Sequence, residues 1–168
     1  MSYWLLKCEP DHDYSYQDLE KDGQTYWDGV TNNWALKFIR EVRKGDQAFV
    51  YHTGKQRCVA GIANVISDPY PDPDAGNEKL VVFDLTPDRP LENPVTLSQI
   101  KQDGRFDEFH LVKFSRLSVI PVFEDYWNII LEMSCCTIIL GTYPNNLFLY
   151  HSYLRIDSPF IELFSKFG

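Results

Sequence analysis

A chain of 168 residues, 44% hydrophobic and 15% aromatic, is within the size of one domain and has ample side-chain volume for a core. Its net charge of −8 argues against a protein that coats nucleic acid through general attraction to phosphate, and no run approaches the roughly 20 apolar residues that a membrane helix needs. The cysteines Cys8, Cys58, Cys135 and Cys136 offer neither a disulfide framework nor a paired metal-ligand spacing, so a soluble, unsecreted, cytoplasmic protein with reduced thiols and no metal or cofactor is expected.

In chain order, Tyr3-Trp4-Leu5-Leu6-Lys7-Cys8 reads as a first strand, apolar enough to be buried on both faces, and Glu9-Pro10 ends it. Ser15 and Asp18 make a variant capping box and Gly23 a C-terminal stop, which predicts a short helix over Tyr16–Asp22. The next stretch, Trp27-Asp28-Gly29-Val30-Thr31-Asn32-Asn33, brings an aromatic, a carboxylate, a glycine and two amides together just before a helix. Gly29 permits a turn that a β-carbon would oppose, and either asparagine can cap the helix on which Trp34, Ala35, Phe38, Ile39 and Val42 follow at helical spacing. Trp27 is therefore read as one wall of a pocket for a flat, partly polar ligand such as a modified nucleobase, with Asp28 accepting hydrogen bonds from its edge. The plainer reading makes Trp27 a core anchor and Asp28 and Asn32 turn and cap residues.

Lys44-Gly45 stops that helix. Gln47-Ala48-Phe49-Val50-Tyr51-His52 and the run from Cys58 to Ile66 form a hairpin, and Gly61 inside the second strand suggests a bulge or a close approach by another backbone or a ligand. Residues 68–76 place three prolines within five residues and read as a surface excursion; residues 80–85 read as a strand and residues 87–94 as another extended loop. Thr96 and Gln99 cap a short helix ended by Gly104, and residues 115–121 read as a short strand. Phe123, Tyr126, Trp127, Ile130 and Leu131 predict an amphipathic helix packed on the sheet, and the apolar runs 137–140 and 147–150 are expected to be added strands or a packed tail. Short helices alternating irregularly with strands predict an α+β domain with a mixed, strongly curved sheet.

Charge is distributed unevenly along these elements. Residues 1–66 carry eight Lys/Arg against nine Asp/Glu, residues 67–104 three against eight, so a polyanion would meet the first part. There Lys37, Arg40, Arg43 and Lys44 lie on or just after one helix, with Lys55 and Arg57 in a nearby loop, although a solvated helix face is the more common reason for such a cluster.

Taken together and in order, Tyr3-Trp4-Leu5-Leu6-Lys7-Cys8-Glu9-Pro10, Trp27-Asp28-Gly29-Val30, Tyr51-His52-Thr53, Val59-Ala60-Gly61-Ile62-Ala63, Tyr70-Pro71-Asp72-Pro73 and Arg116-Leu117-Ser118-Val119-Ile120-Pro121-Val122 resemble the EVE domain family. The likeness covers residues 2–132 and leaves 133–168 as a tail it does not account for. It implies a PUA-like fold, a curved mixed β pseudo-barrel flanked by short helices. It also implies a reader of modified bases in DNA or RNA, single-stranded or flipped, related to the YTH domains and without a catalytic mechanism. The resemblance places candidate ligand contacts at Lys7, Cys8, Trp27, Asp28, Asn32, Tyr51, His52, Thr53, Arg116 and Ser118. The chain departs from the pattern at Cys8, where Ser is usual and a thiol is the weaker hydrogen-bond partner, and at Thr31, where the loss of the usual Arg removes a phosphate contact.

On this reading Trp27 and Tyr51 are the pocket walls, Asp28, Asn32, His52 and Thr53 read the edge of the base, and Lys7 meets a phosphate or a carbonyl. The competing enzyme reading recruits Cys8 as nucleophile, His52 as base and Asp28 as orienter of a small hydrolase; no local signature surrounds Cys8, so no catalytic residue is assigned. A third reading makes the acidic, proline-rich loop around Tyr70 a protein interaction segment.

Overall fold

The structure is a computed structural model that describes residues 1–135. Its elements follow in the order β1 (Tyr3–Cys8), α1 (Tyr16–Asp22), β2 (Thr25–Tyr26), α2 (Asn33–Ile39), β3 (Gln47–His52), β4 (Cys58–Val65), β5 (Tyr70–Pro71), β6 (Val81–Val82), β7 (Asp84–Thr96), α3 (Leu97–Gln102), a 3-10 turn (Gly104–Phe106), α4 (His110–Lys113), β8 (Val119–Val122) and α5 (Glu124–Cys135). Six strands make one mixed sheet in the order β2-β7-β4-β3-β1-β8, and β5 pairs with β6 in a separate ribbon.

Strand β1 is interior because Trp4, Leu5, Leu6 and Cys8 are all buried, which demands cover on both faces. It runs parallel to β3, pairing Cys8 with His52, and antiparallel to β8. Register shifts at Val50/Tyr51, Val59/Gly61 and Ile62/Ala63 bend the β3–β4–β7 part of the sheet and curl it into a half-barrel. Gly61 lies at one of these bulges, and the close approach there is made by Tyr16: a β-carbon at Gly61 would meet the Tyr16 ring at 2.5 Å. Tyr16 itself is fully buried and its hydroxyl donates to the Ile62 carbonyl at 3.3 Å.

Helix α1 is closed at its start by the reciprocal Ser15–Asp18 capping box and at its end by Gly23, whose φ of 75° is left-handed. Helix α2 is shorter than its apolar spacing predicts. It gives way after Ile39 to tighter turns, in which Val42 N–H donates to the Ile39 carbonyl and Arg43 N–H to the Asp46 carboxylate. That buried carboxylate also accepts from Ser2 N–H and Trp4 Nε1, so it ties the start of β1 to the end of the α2 segment. Helix α5 packs Trp127 on the sheet, stacked on Phe49 at 3.8 Å and on Tyr3 at 4.4 Å between ring centroids.

Two sequence expectations are corrected. Residues 87–94 are not a loop but the middle of the 13-residue strand β7. Its prolines are tolerated because β2 pairs with β7 only at Asp84 and Leu85, so beyond that point β7 is an edge strand whose outward side loses nothing by lacking an N–H. The expected strand at 115–121 begins only at Val119, residues 115–118 being the turn whose Ser118 carbonyl accepts from Lys7 N–H. The 3-10 turn and α4 between Gly104 and Ser115 were not visible in the pattern, and the runs at 137–140 and 147–150 lie outside the described residues.

Candidate functional site

At the polar end of β1, beside the start of β8, the curled sheet leaves a cleft of about 400 Å³. Its far wall is the turn that follows β2. Trp27 N–H donates to the Phe83 carbonyl at 2.9 Å, and Gly29 then takes a left-handed φ of 68°, which turns the chain toward Val30 and the cap of α2. Trp27 is 7% exposed and belongs to the core, yet its remaining surface borders the cleft. Trp27 is thus a core residue that also lines the cleft.

Opposite the turn stand Lys7 and Ser118, and the flanks are made by Asp13, Tyr14, Thr25 and Tyr26. Burial lowers the Lys7 amine to about 8 from an ordinary value of 10.5, while Nζ donates to the Ser115 carbonyl at 3.1 Å and the Phe114 carbonyl at 3.4 Å. A desolvated ammonium held by two neutral carbonyls is poised for a carbonyl oxygen or a phosphate, because a new acceptor restores what burial removed. Across the cleft, the Asp28 carboxyl is pushed upward, first by desolvation and then by the nearby carboxylates of Asp72, Asp13 and Asp74. Such a carboxylate gains from any donor that approaches it, such as an exocyclic amino group or a ring N–H. The tyrosines are engaged elsewhere: Tyr26 hydroxyl donates to Asp74 at 2.5 Å and Tyr14 hydroxyl to Asp22 at 3.0 Å, so toward the cleft they offer mainly ring surface.

The candidate contacts fall into three places. Lys7, Trp27, Asp28 and Ser118 line the cleft together. Asn32 and Arg116 line an adjacent groove of about 250 Å³ with Trp34, Phe114 and Lys113, and the Asn32 side-chain oxygen is occupied as the α2 cap, accepting from Trp34 N–H and Ala35 N–H. Cys8, Tyr51, His52 and Thr53 are outside both. The expectation that Tyr51 and His52 share one concavity with Trp27 is thus corrected: Tyr51 and His52 are 3% and 1% exposed and neither lines the cleft, His52 lying beneath the start of α1. His52 Nε2 accepts from Tyr16 N–H at 2.9 Å, capping an orphan donor of α1, and its Nδ1 lies 2.7 Å from Gln56 Oε1. With Nε2 accepting, the proton sits on Nδ1 and is donated to Gln56. Thr53 hydroxyl donates at the β1 exit, within 3.0 Å of the Cys8 carbonyl and 2.7 Å of Glu9 Oε2.

The same packing bears on the hydrolase alternative. Cys8 is buried, its thiol donates weakly to the Tyr51 carbonyl at 3.7 Å, and burial together with the Asp13 and Glu9 charges pushes its pKa up to about 12. Thiolate, the reactive form, is scarce under those conditions, and both His52 nitrogens are engaged elsewhere. Among the described residues no group of His, Cys, Asp and Glu is arranged to hold a metal ion, and no helix is long and apolar enough to cross a membrane. Sequence reasoning missed Asp13, Tyr14 and Thr25 as cleft residues; their only signal was position, just before the α1 cap or before Tyr26-Trp27.

A curled mixed sheet with short helices around it, and a polar and aromatic cleft at the end of its interior strand, defines an α+β domain of the PUA-like class. The chain belongs to the EVE domain family, whose profile matches residues 2–133. It is similar to thymocyte nuclear protein 1 of Gallus gallus, at 28% identity over 166 residues, covering 78% of this chain and 68% of that protein. Among solved structures, a protein of Rhodopseudomonas palustris matches with a TM-score of 0.75 and 38% identity over 80% of this chain and 93% of that one. The human THYN1 protein, crystallised in complex with 5-methylcytosine-containing DNA, matches with a TM-score of 0.71 and 27% identity over 81% of this chain and 99% of that one.

Proposed function

We propose that this chain is a nucleic-acid-binding module that receives one modified base in the cleft beside Trp27. The observation that carries this reading is the juxtaposition, in a cavity of about 400 Å³, of an aromatic wall, a desolvated ammonium at Lys7 and an acceptor carboxylate at Asp28. That set suits a flat heterocycle with both donors and acceptors on its rim: the ring packs against Trp27, an amino or ring N–H donates to Asp28, and a carbonyl accepts from Lys7 or Ser118. Family membership and the likeness to a human protein crystallised with 5-methylcytosine DNA support the same conclusion. Cys8, Tyr51, His52 and Thr53 then act behind the cleft, holding β1, β3 and α1 in register.

A base in a duplex reaches such a cleft only after leaving the stack, so affinity should be higher when it is unpaired or mismatched. The test is a binding series with otherwise identical oligonucleotides carrying 5-methylcytosine, N6-methyladenine or no modification, single- and double-stranded. A preference for one modified base that changes in Asp28→Asn and weakens in Trp27→Phe supports the reading. Equal affinity for all of them in the wild type overturns it.

A further inference from the structure

Trp34 is a large apolar side chain left 44% exposed on α2, whereas Trp4, Trp27 and Trp127 are all buried. Its ring is held rather than loose: the edge of Phe114 meets it at 4.8 Å between centroids, and Phe38 and His110 lie at 6.1 and 6.4 Å. The groove beside it has Lys113 and Arg116 in its lining and no carboxylate, whereas the base cleft is lined by Asp13 and Asp28. Arg116 has no carboxylate partner among the described residues, nor does Lys37, which follows Trp34 at the i,i+3 position on the same helix face. Lys113 is paired with Glu108 at the surface and contributes less. In a protein of net charge −8, a held, exposed tryptophan framed by cations that have no carboxylate partner among the described residues is complementary to a flat base flanked by phosphates.

The groove also adjoins the cleft. Lys7 lines the cleft and donates to the Phe114 and Ser115 carbonyls, whose residues line the groove, and Arg116, Leu117 and Ser118 carry the chain from one to the other. On the opposite side, Val30 borders the cleft and Asn32 the groove, a separation that two residues of extended chain span in at most about 7 Å.

We infer that this groove is a second nucleotide subsite: the base next to the one in the cleft stacks on Trp34, and the phosphates around it are met by Arg116 and Lys37. The inference rests on reading the cleft as the base site, and it identifies the partner as a strand that is single-stranded at the site, since a neighbouring base can stack on a side chain only when it has left its own stack. Asn32 contributes its amide N–H groups, its oxygen being committed to the cap.

The test measures the binding of two labelled single-stranded oligonucleotides, one carrying a single 5-methylcytosine and one unmodified, to the wild type, Trp34→Ala, Trp34→Phe and Arg116→Gln. Trp34→Ala is expected to weaken both oligonucleotides by roughly 5-fold to 150-fold with the ratio between them unchanged, and Trp34→Phe to recover most of the loss. Arg116→Gln is expected to reduce the slope of log affinity against log salt by about 0.7. Trp34→Ala binding both oligonucleotides like the wild type overturns the subsite, as does a Trp34→Ala effect seen only on self-association in light scattering. A wild type with no modified-base preference but a retained Trp34 effect removes the base-reading function and leaves the strand groove standing. Preference retained with Trp34 inert does the reverse, and a wild type that binds neither oligonucleotide removes both.

Discussion

Trp27 and Trp34 lie on either side of the α2 cap, yet one is 7% exposed among carboxylates and the other 44% exposed among cations. The difference shows how a polar turn divides labour between two aromatic rings. Gly29 and the Asn32 cap hold both rings, but the core grips Trp27 from behind, while among the described residues Phe114, Phe38 and His110 support Trp34. A wall that is part of the core is rigid and discriminating; a platform on the surface is tolerant. Lys7, whose amine burial lowers to about 8, and the carboxylate of Asp28 sit beside the buried ring, and well-hydrated cations sit beside the exposed one.

The sharpest way to break this comparison is truncation of each ring. Trp27→Ala is expected to cost about 3–5 kcal/mol of folding stability, as for other buried Trp→Ala changes, whereas Trp34→Ala is expected to stay within about 0.5–1 kcal/mol. Denaturant unfolding measures both, and equal losses would mean that the two rings are packed alike. Because Trp27→Ala confounds binding with stability, Trp27→Phe is the variant in which base preference is to be read. Next in size, His52→Ala leaves Tyr16 N–H buried without its acceptor and should cost about 1–3 kcal/mol while leaving the modified-base preference intact. Loss of that preference in a folded His52→Ala protein would return His52 to the cleft.

Lys7 gives a pH test. In the free protein its amine titrates at about 8, so binding that needs the ammonium should weaken about tenfold between about pH 7 and pH 9, and Lys7→Arg should remove that dependence. Stability moves the other way. The folded-state pKa lies below the ordinary 10.5, so between about 8 and 10.5 the unfolded chain holds the proton that the folded one has released, and the Lys7 contribution to stability rises with pH through that window. An affinity flat across the same range would remove the ammonium from the cleft's chemistry. The smallest effect concerns Asp28→Asn, which replaces one acceptor oxygen by a donor and should change which base is preferred, with folding within about 0.5 kcal/mol because the side chain is exposed at the turn. Competition between oligonucleotides of different modification reads it directly, and an unchanged ranking would place Asp28 outside the contacts.

Local chemistry in the sequence determined the elements whose signals are self-contained. The Ser15–Asp18 box and Gly23 delimit α1, the apolar run from Tyr3 to Cys8 is an interior strand, and Trp27 through Asn32 form a turn before a helix, because caps, glycine turns and hydrophobic runs act over a few residues. Family motifs in order made the α+β, PUA-like fold legible as well. Only the tertiary structure decided what each side chain faces. Tyr51, His52 and Cys8 look like pocket residues in the sequence, but all three are buried away from the cleft, His52 beneath the start of α1, whose Tyr16 N–H it accepts and whose Tyr16 ring fills the gap left at Gly61. The prolines of β7 read as loop until the pairing shows β7 to be an edge strand beyond Leu85, where an outward-facing position loses nothing by lacking an N–H. Asp13 and Tyr14 join the cleft, and Trp34 remains outside the core, for the same reason: exposure and charge environment are sums over neighbours distant in the chain, and no window of the sequence contains those neighbours.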